Sequence, residues 1–513
     1  MWSTAPAPAA TRRPPRLSGL QADTECYYRF RYRGTGASLY NARGERSFHT
    51  ARGRGTSFTF TLTADPHLDV NTDLGLLNRA MANIATDAPD FHIDLGDIFM
   101  TDKMEEPLAN GIPAIWGGEL STGQLNQSLL NNRAILLRNQ FELVCHSVPF
   151  FFTLGNHEAE YGYLFNSAPD KLNNIPAWDL LARKAYYPTP VPSTFYSGNP
   201  TPLTYTGGSL GLLEDYYAWE WGDALFIVLD PFWNTTINPN QGNDAWNWTL
   251  GQTQYNWLRD TLKNSSARYK FVFMHHIVGG STTLADGVTP NVAARGGVEV
   301  AGFYEWGGLN ADGTTNGFAT RRPGWDMPIH NLLKQNKVSV VFHGHDHLYG
   351  YQTLDGVVYL ECPQPGTSNY TTLGSAGDGK YTQGLSSLLL ADSGHIRVRV
   401  TPSQVVADYV RAYRPQDENT TRHNLDVSNS FTLRPTVFPP IEMVSAGPGQ
   451  VVLRWNATPN KPCQIQYSTD LVTWQNITAP QTFTNTNTNA TYTDTLPARI
   501  NGQRAFYRVS YTP

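Results

Sequence analysis

Residues 338–347 read VSVVFHGHDH. The run Val338 to Phe342 is apolar and rich in β-branched side chains, which fits a strand. It ends on His343, His345, Asp346 and His347, with Gly344 letting the backbone turn sharply just before a ligand. The same arrangement occurs four more times upstream. The strand Ser57–Thr63 runs into Ala64-Asp65-Pro66-His67, and Phe91–Leu95 runs into Gly96-Asp97. Pro149–Leu154 runs into Gly155-Asn156-His157-Glu158, and Tyr269–Met274 runs into His275-His276. Five strands thus deliver Asp, Asn or His just past their carboxyl ends, where ligand sites form in layered α/β folds.

Between these strands the spacing turns helical. Leu74, Leu77, Met81 and Ile84 recur at helical spacing behind Asp73, a fitting N-cap. Helices also fit Ser128–Val144, Gly251–Asn264 and Pro328–Gln335, and a further strand fits Ala224–Leu229. Alternating β and α predicts helices layered on sheets. The chain has three zones: a β-like stretch over 1–52, this α/β zone over 55–434, and a β-rich stretch over 435–513. In the first, Tyr28, Phe30 and Tyr32 alternate with polar neighbours as in a half-buried strand, and a short strand fits Arg46–Thr50. In the last, Val451, Leu453 and Trp455 alternate, as do Ile465 and Tyr467, then Tyr507, Val509 and Tyr511.

The 513 residues leave room for two to four domains. With 40% hydrophobic and 16% charged residues the chain is globular, not disordered. A net charge of −5 argues against coating nucleic acid or an anionic membrane. No run approaches the roughly 18 apolar residues of a transmembrane helix. Residues 1–20 hold no apolar stretch for a signal peptide. Cys26, Cys145, Cys362 and Cys463 form no CxxC pair; buried thiols and long-range disulfides both stay open.

Singly, D-x-H or GD is ordinary turn chemistry. The ordered set D-x-H, GD, GNH[DE], H and GHxH is not: it resembles the calcineurin-like metallophosphoesterase superfamily, which includes purple acid phosphatases and cyclic-nucleotide phosphodiesterases. The resemblance covers residues 57–412. It implies an α/β fold, a four-layer α/β/β/α sandwich, here flanked by small all-β modules. It implies two metal ions, one on Asp65, His67, Asp97 and His347, the other on Asp97, Asn156, His275 and His345, with Asp97 shared. His157 would stand beside the metals, suited to protonate the departing oxygen. Imidazole, carboxylate and amide ligands without thiolate suit Zn, Mn or Fe. The implied reaction is hydrolysis of a phosphoric ester, a metal-bridging hydroxide attacking phosphorus in line. The expected substrate is a phosphomonoester; a phosphodiester or nucleotide would be served by the same site. A catalytically silent binding protein is the rival of another class, and the complete ligand set speaks against it.

One departure narrows the subtype. Purple acid phosphatases carry a tyrosine in GDxxY, where this chain has Met100, and they lack the histidine that His67 supplies. The metal site should therefore lack tyrosinate ligation. His275 is favoured over His276, because successive strand side chains face opposite ways. His343 reads as support for the strand end. Asp69, Asp94 and Asp346 read equally as partners of ligand histidines or as turn caps. Arg295, Arg321 and Arg322 suit phosphate, against the alternative of ordinary surface arginines. His49, His92, His146, His330, His395 and His423 have no motif context.

The stretch CQIQYSTDLVTW (463–474) and the ending FYRVSY give 435–513 a resemblance to the fibronectin type III-like modules of secreted bacterial hydrolases. A surface or carbohydrate contact is its expected partner role; the alternative is an extra sheet on the catalytic domain. LSGLQADTECYYRFRY (17–32) resembles the closing half of such a module. A full sandwich needs about 100 residues and seven strands. The expectation is therefore a true start upstream of Met1, with an apolar leader and a secreted or periplasmic enzyme; without a leader it would be cytoplasmic. The alternative is that 17–50 pack as a short β-extension on the catalytic domain.

Overall fold

The strand Phe58–Thr63 shows how the sheets are built. Phe58, Phe60 and Leu62 turn to one face and share a core with Phe91, Ile93, Phe226, Phe271, Phe273 and Phe342. Thr61 and Thr63 turn to the other face, where each hydroxyl lies 2.9 Å from a ring nitrogen of His92. This is the period of two expected of a strand, and each buried phenylalanine contributes roughly 1.5–3 kcal/mol.

The computed structural model describes residues 17–120, 122–237, 244–277, 282–283, 290–291, 297–370, 373, 388–434, 441–447, 449–457, 462–471, 473–482, 489–500 and 505–511. It divides into two compact units, Met1–Leu433 and Arg434–Pro513. The first unit opens with the hairpin β1 (Glu25–Tyr32) and β2 (Asn41–His49). There follow β3 (Phe58–Thr63), α1 (Leu74–Asp87), β4 (Phe91–Asp94), α2 (Gln127–Cys145), β5 (Phe150–Phe152), α3 (Gly162–Ser167) and α4 (Ile175–Tyr186). Next come β6 (Ser197–Gly198), the hairpin β7 (Pro202–Tyr205) and β8 (Gly208–Leu212), β9 (Tyr217–Trp221), β10 (Ala224–Val228), α5 (Gly251–Asn264) and β11 (Tyr269–Phe273). After the pair β12 (Thr282–Thr283) and β13 (Pro290–Asn291) lie short helices α6 (Gly297–Ala301), α7 (Tyr304–Gly307), α8 (Phe318–Arg321) and α9 (Ile329–Gln335). The unit closes with β14 (Val340–His343), β15 (Tyr349–Leu354), β16 (Val357–Glu361), β17 (Leu388–Leu390), β18 (Gly394–Val400), β19 (Val405–Arg411) and β20 (Val427–Leu433).

Two sheets face each other. One has the order β20-β19-β18-β3-β4-β5, the other β17-β15-β16-β14-β11-β10-β9-β6. The strands β3, β4 and β5 run parallel, as do β10, β11, β14 and β16. The apolar layer between the sheets is one core. The outer faces carry helices: Leu77 and Met81 of α1, Leu137 and Phe141 of α2, and Leu258 of α5 join Ile227, Val272 and Val341 in a second core. This is the four-layer α/β/β/α sandwich that the resemblance implies. Asp73 does cap α1, its Oδ1 accepting the Leu76 N–H at 2.9 Å.

The alternation of Tyr28, Phe30 and Tyr32 is present, yet neither face of the strand is buried, and these residues are 37%, 54% and 48% exposed. The hairpin meets the end of α2, where the Tyr28 hydroxyl donates to His146 O at 2.5 Å and Arg43 pairs with Glu142 at 2.5 Å. The second strand is longer than expected and starts at Asn41. In the second unit, β21 (Ile441–Gly447), β22 (Gln450–Asn456) and β26 (Asn489–Asp494) form one sheet. The strands β23 (Pro462–Ser468), β24 (Gln475–Asn476), β25 (Gln481–Thr482) and β27 (Phe506–Tyr511) form another. Leu453, Trp455, Cys463, Ile465 and Val509 fill their shared core. All four cysteines are free thiols. Among the described residues, no helix is long and apolar enough to cross a membrane.

Candidate metal centre

The carboxyl ends of β3, β4, β5, β11 and β14 converge, and with them all eight residues singled out from the sequence. Asp65 Oδ1 lies 3.6 Å from His67 Nε2, 3.5 Å from His347 Nε2 and 3.8 Å from His275 Nε2. Asp97 Oδ2 lies 3.1 Å from His275 Nε2 and 3.5 Å from His67 Nε2, so its carboxylate stands between two clusters. Asn156 Oδ1 lies 3.0 Å from His275 Nε2 and 2.8 Å from His345 Nδ1. His157 stands slightly apart, its Nε2 3.9 Å from Asp97 Oδ2 and its Nδ1 2.8 Å from Asp102 Oδ1.

The backbone at these strand ends is bent to present the side chains. Asp65, His67, Asp97, His345 and His347 have φ of 56°, 49°, 58°, 85° and 50°. Left-handed backbone costs a non-glycine residue about 1–3 kcal/mol and clusters at functional sites; Asp, Asn and His tolerate it best. The glycines allow close approach. A Cβ on Gly155 would stand 2.2 Å from Asp97 Oδ1, and one on Gly344 would stand 2.7 Å from Asp65 Oδ2. Gly96, at φ 100°, would put a Cβ 2.4 Å from the Gly155 nitrogen. The buried Glu158 joins the loops. Its carboxylate accepts the backbone N–H groups of Asp97, Ile98, Phe99 and Gly155 at 2.9, 2.7, 2.9 and 2.5 Å.

The charges are strongly coupled. Burial alone would raise the Asp65 carboxyl, but the imidazoles of His275 and His347 outweigh it and hold it far below the usual carboxylate range. Burial likewise opposes ionisation of Asp97, and His275 and His157 reverse it. Burial would lower His275, yet Asp97 and Asp65 raise it to about 9. His67 is raised against burial by Asp65, Asp69 and Asp97. His157 is raised against burial by Asp97 and Asp102. Burial and the charge of Asp97 push Glu158 up to about 7, against backbone N–H groups that favour its ionised form.

The donor set fits divalent cations. Asp65 Oδ1 and His67 Nε2 are buried and have no hydrogen-bond partner, although buried polar atoms are nearly always satisfied. Two groups of ligand atoms are close enough to hold an ion each: Asp65, His67 and His347, and Asp97, His275 and His345. Imidazole and carboxylate without thiolate are hard to borderline donors, suited to Zn, Mn or Fe.

The remaining candidates separate. His276 is in neither group of ligand atoms close enough to hold an ion; its ring packs against Phe232, Trp248 and His345, with centroids 5.0, 4.7 and 5.2 Å away. His343 pairs with the buried Glu361 behind the strand end. Asp69 Oδ2 meets His67 Nδ1 at 3.2 Å, so it is a partner of that histidine. Asp94 accepts instead from Thr63 and the Gly96 N–H. Arg322 is committed to Glu305 at 2.6 Å and Arg321 to Asp244 at 3.1 Å; Arg295 lies outside the described residues. Two residues gained a place only from the fold. Asp102 is five residues past Asp97 in a single 3₁₀ turn, Thr101–Lys103, and Glu158 stood within GNHE without an assigned role.

Comparison with known proteins gives the same direction. No curated protein sequence matches the chain. Its fold resembles PhoD, with a TM-score of 0.53 at 17% identity over 81% of this chain and 76% of that one. A purple acid phosphatase from yellow lupin (Lupinus luteus) seeds aligns at a TM-score of 0.48 and 14% identity over 82% of this chain. The chain spans 61% of the lupin protein's length. The family model described as calcineurin-like phosphoesterase matches residues 58–349, more than half of the sequence. The chain therefore belongs to the calcineurin-like phosphoesterase family.

Proposed function

We propose that residues 55–434 form a binuclear metallophosphomonoesterase. The observation that carries this reading is the position of Asp97, whose Oδ2 lies within 3.5 Å of both His67 and His275. Asp65, His67, Asp97 and His347 would hold one ion; Asp97, Asn156, His275 and His345 would hold the second. When bound, the ions supply Lewis acidity toward phosphoryl oxygens and lower the pKa of water. The chain's own groups do the rest. His157 is the proton donor to the departing oxygen. Asp102 accepts its Nδ1–H, which leaves Nε2 to carry the transferable proton. Against burial, the carboxylates of Asp97 and Asp102 raise His157 above its ordinary range, which favours the protonated form a proton donor needs. Glu158 holds the Asp97 and Asn156 loops in register through four backbone N–H groups. The β-rich unit after residue 434 is proposed to contact a surface or carbohydrate.

The test is turnover of a panel of phosphate mono- and diesters by protein loaded with Mn, Zn or Fe. Faster hydrolysis of monoesters supports the reading. Preference for diesters would reassign the substrate while keeping the site. No hydrolysis of any ester with any metal would overturn it.

A further inference from the structure

The Asp102 side chain that meets His157 is 39% exposed, so burial does not aim it; the backbone of its turn does. Asp102 is the middle residue of the 3₁₀ turn Thr101–Lys103. Just before the turn, Glu158 accepts the N–H groups of Ile98 and Phe99. The turn itself is tied down by Thr101, which is buried and whose Oγ1 donates to Asp179 Oδ1 at 2.5 Å. Asp179 lies on α4. Four residues on, and so on the same face of that helix, stands Arg183, equally buried. Arg183 Nε and Nη2 donate to the two carboxylate oxygens of Glu160 at 2.6 and 2.8 Å. Its other N–H groups go to Thr189 Oγ1, Glu214 O and Leu213 O at 2.9, 2.9 and 2.8 Å, so all five guanidinium donors are engaged. Glu160 is buried as well and follows His157 by three residues. The His157 loop and the Asp102 turn therefore rest on one face of one helix. The circuit closes where His157 Nδ1 meets Asp102 Oδ1 at 2.8 Å.

We infer that Thr101, Asp179, Arg183 and Glu160 are positioning residues, which hold Asp102 at hydrogen-bond distance from His157 and so keep that ring aimed at the departing oxygen. The inference rests on the proton-donor role of His157 proposed above. None of the four belongs to the proposed ligand set. A buried ion pair is a costly way to hold a fold together, because apolar side chains of similar volume often serve as well or better. What apolar packing does not supply is direction. The Arg183 fork and the Thr101 hydroxyl fix two loops to within hydrogen-bond geometry, and catalytic groups are sensitive to displacements of about 1 Å. Without the Thr101 anchor the turn can tilt, and the Asp102 carboxylate relaxes into the water it already touches. His157 then loses the acceptor that fixes its Nδ1–H. Thr101 is the link to cut, since the Arg183–Glu160 pair does not depend on it.

The experiment measures steady-state turnover of an alkyl and a nitrophenyl phosphate by the metal-loaded full chain. Thr101→Val keeps the volume and removes the hydroxyl; Thr101→Ala removes both, so a packing fault in one does not carry over to the other. Each should keep the wild-type metal content. Each should lower kcat on the alkyl ester about three- to tenfold, the scale of one hydrogen bond, and stay within about twofold on the nitrophenyl ester. Thr101→Ser, which keeps the hydroxyl, should retain wild-type turnover on both. In an Asp102→Asn background Thr101→Val should add no further loss, because the two changes cut the same chain of contacts. No loss on the alkyl ester, equal losses on both esters, a Thr101→Ser variant as slow as Thr101→Val, or additive losses in the double variant would overturn the inference and leave the acid role of His157 standing. If His157→Ala itself slows both esters equally, the acid role fails and the inference falls with it.

Discussion

His157 Nδ1 lies 2.8 Å from Asp102 Oδ1, while its Nε2 faces Asp97 at 3.9 Å. One carboxylate orients the ring and the other marks the side on which the substrate would sit. This geometry separates proton transfer from metal binding. His157→Ala should retain metal yet lose roughly 10²–10⁴-fold in turnover, the usual scale of general acid–base help. The loss should shrink for nitrophenyl esters, whose leaving group needs no proton, and stay large for alkyl esters. Asp102→Asn should show a smaller loss with the same dependence on leaving group. Steady-state kinetics on the two ester types checks this; equal losses on both would remove the acid role from His157.

Metal content probes Asp97. Its carboxylate is within reach of both clusters, whereas Asn156 touches only His275 and His345 of the proposed ligands. Elemental analysis of the loaded wild type should find close to two equivalents. Asn156→Ala should fall toward one, and Asp97→Ala should fall below that. A wild type that never exceeds one equivalent would contradict a binuclear centre.

The sheets and the site were legible for one physical reason. A strand buried on one or both faces must be apolar, and the polar residues at its end then stand out, as His345 does after Phe342. The same contrast made Asp65, Asp97, Asn156 and His275 readable. Asp102 was not readable, because the loop from 98 to 126 has no long regular element and its spacing carries no period. Glu158 was visible in its motif, but four backbone N–H groups from two loops are a tertiary fact. The strands β15 to β20, antiparallel to their neighbours except where β16 runs parallel to β14, went unread because their pairing partners are set by turns and long-range register. The aromatic alternation of β1 correctly indicated a strand and misjudged its surroundings, since a period of two says which side chains share a face and not what covers it.

Glu158 should matter more to the site than its distance from the chemistry implies. Each of its oxygens accepts two backbone N–H groups. Glu158→Gln replaces one oxygen with an amide NH₂ that meets those N–H groups donor to donor. Leaving buried donors unsatisfied costs about 1–3 kcal/mol, felt at the Asp97 loop. The variant should melt at lower temperature and bind metal more weakly. Glu158→Asp, which keeps the charge and shortens the reach, should recover part of the loss. Metal titration and thermal denaturation of both variants check this; wild-type metal affinity in Glu158→Gln would refute it.

The stability of metal-free protein should fall as pH rises through the alkaline range. His275 is fully buried, and Asp97 and Asp65 raise it to about 9, against about 6.5 in an unfolded chain. Below about 6.5 both states hold the proton and the contribution is complete. Between 6.5 and 9 the native state holds more protons than the unfolded one, so stability falls as pH increases. At about 1.4 kcal/mol per pKa unit, the full loss is roughly 3.5 kcal/mol. Its physical cause is that a neutral His275 no longer offsets the carboxylates of Asp65 and Asp97. A bound cation replaces that proton, so loaded protein has nothing to lose in the same window. The difference in melting temperature between loaded and chelator-treated protein should therefore widen from pH 6.5 to pH 9. Metal affinity should climb over the same range, because the ion competes with a proton for His275. Differential scanning calorimetry in paired buffers measures the first trend and isothermal titration the second. Parallel melting curves with and without metal would show that the His275 proton is not linked to folding.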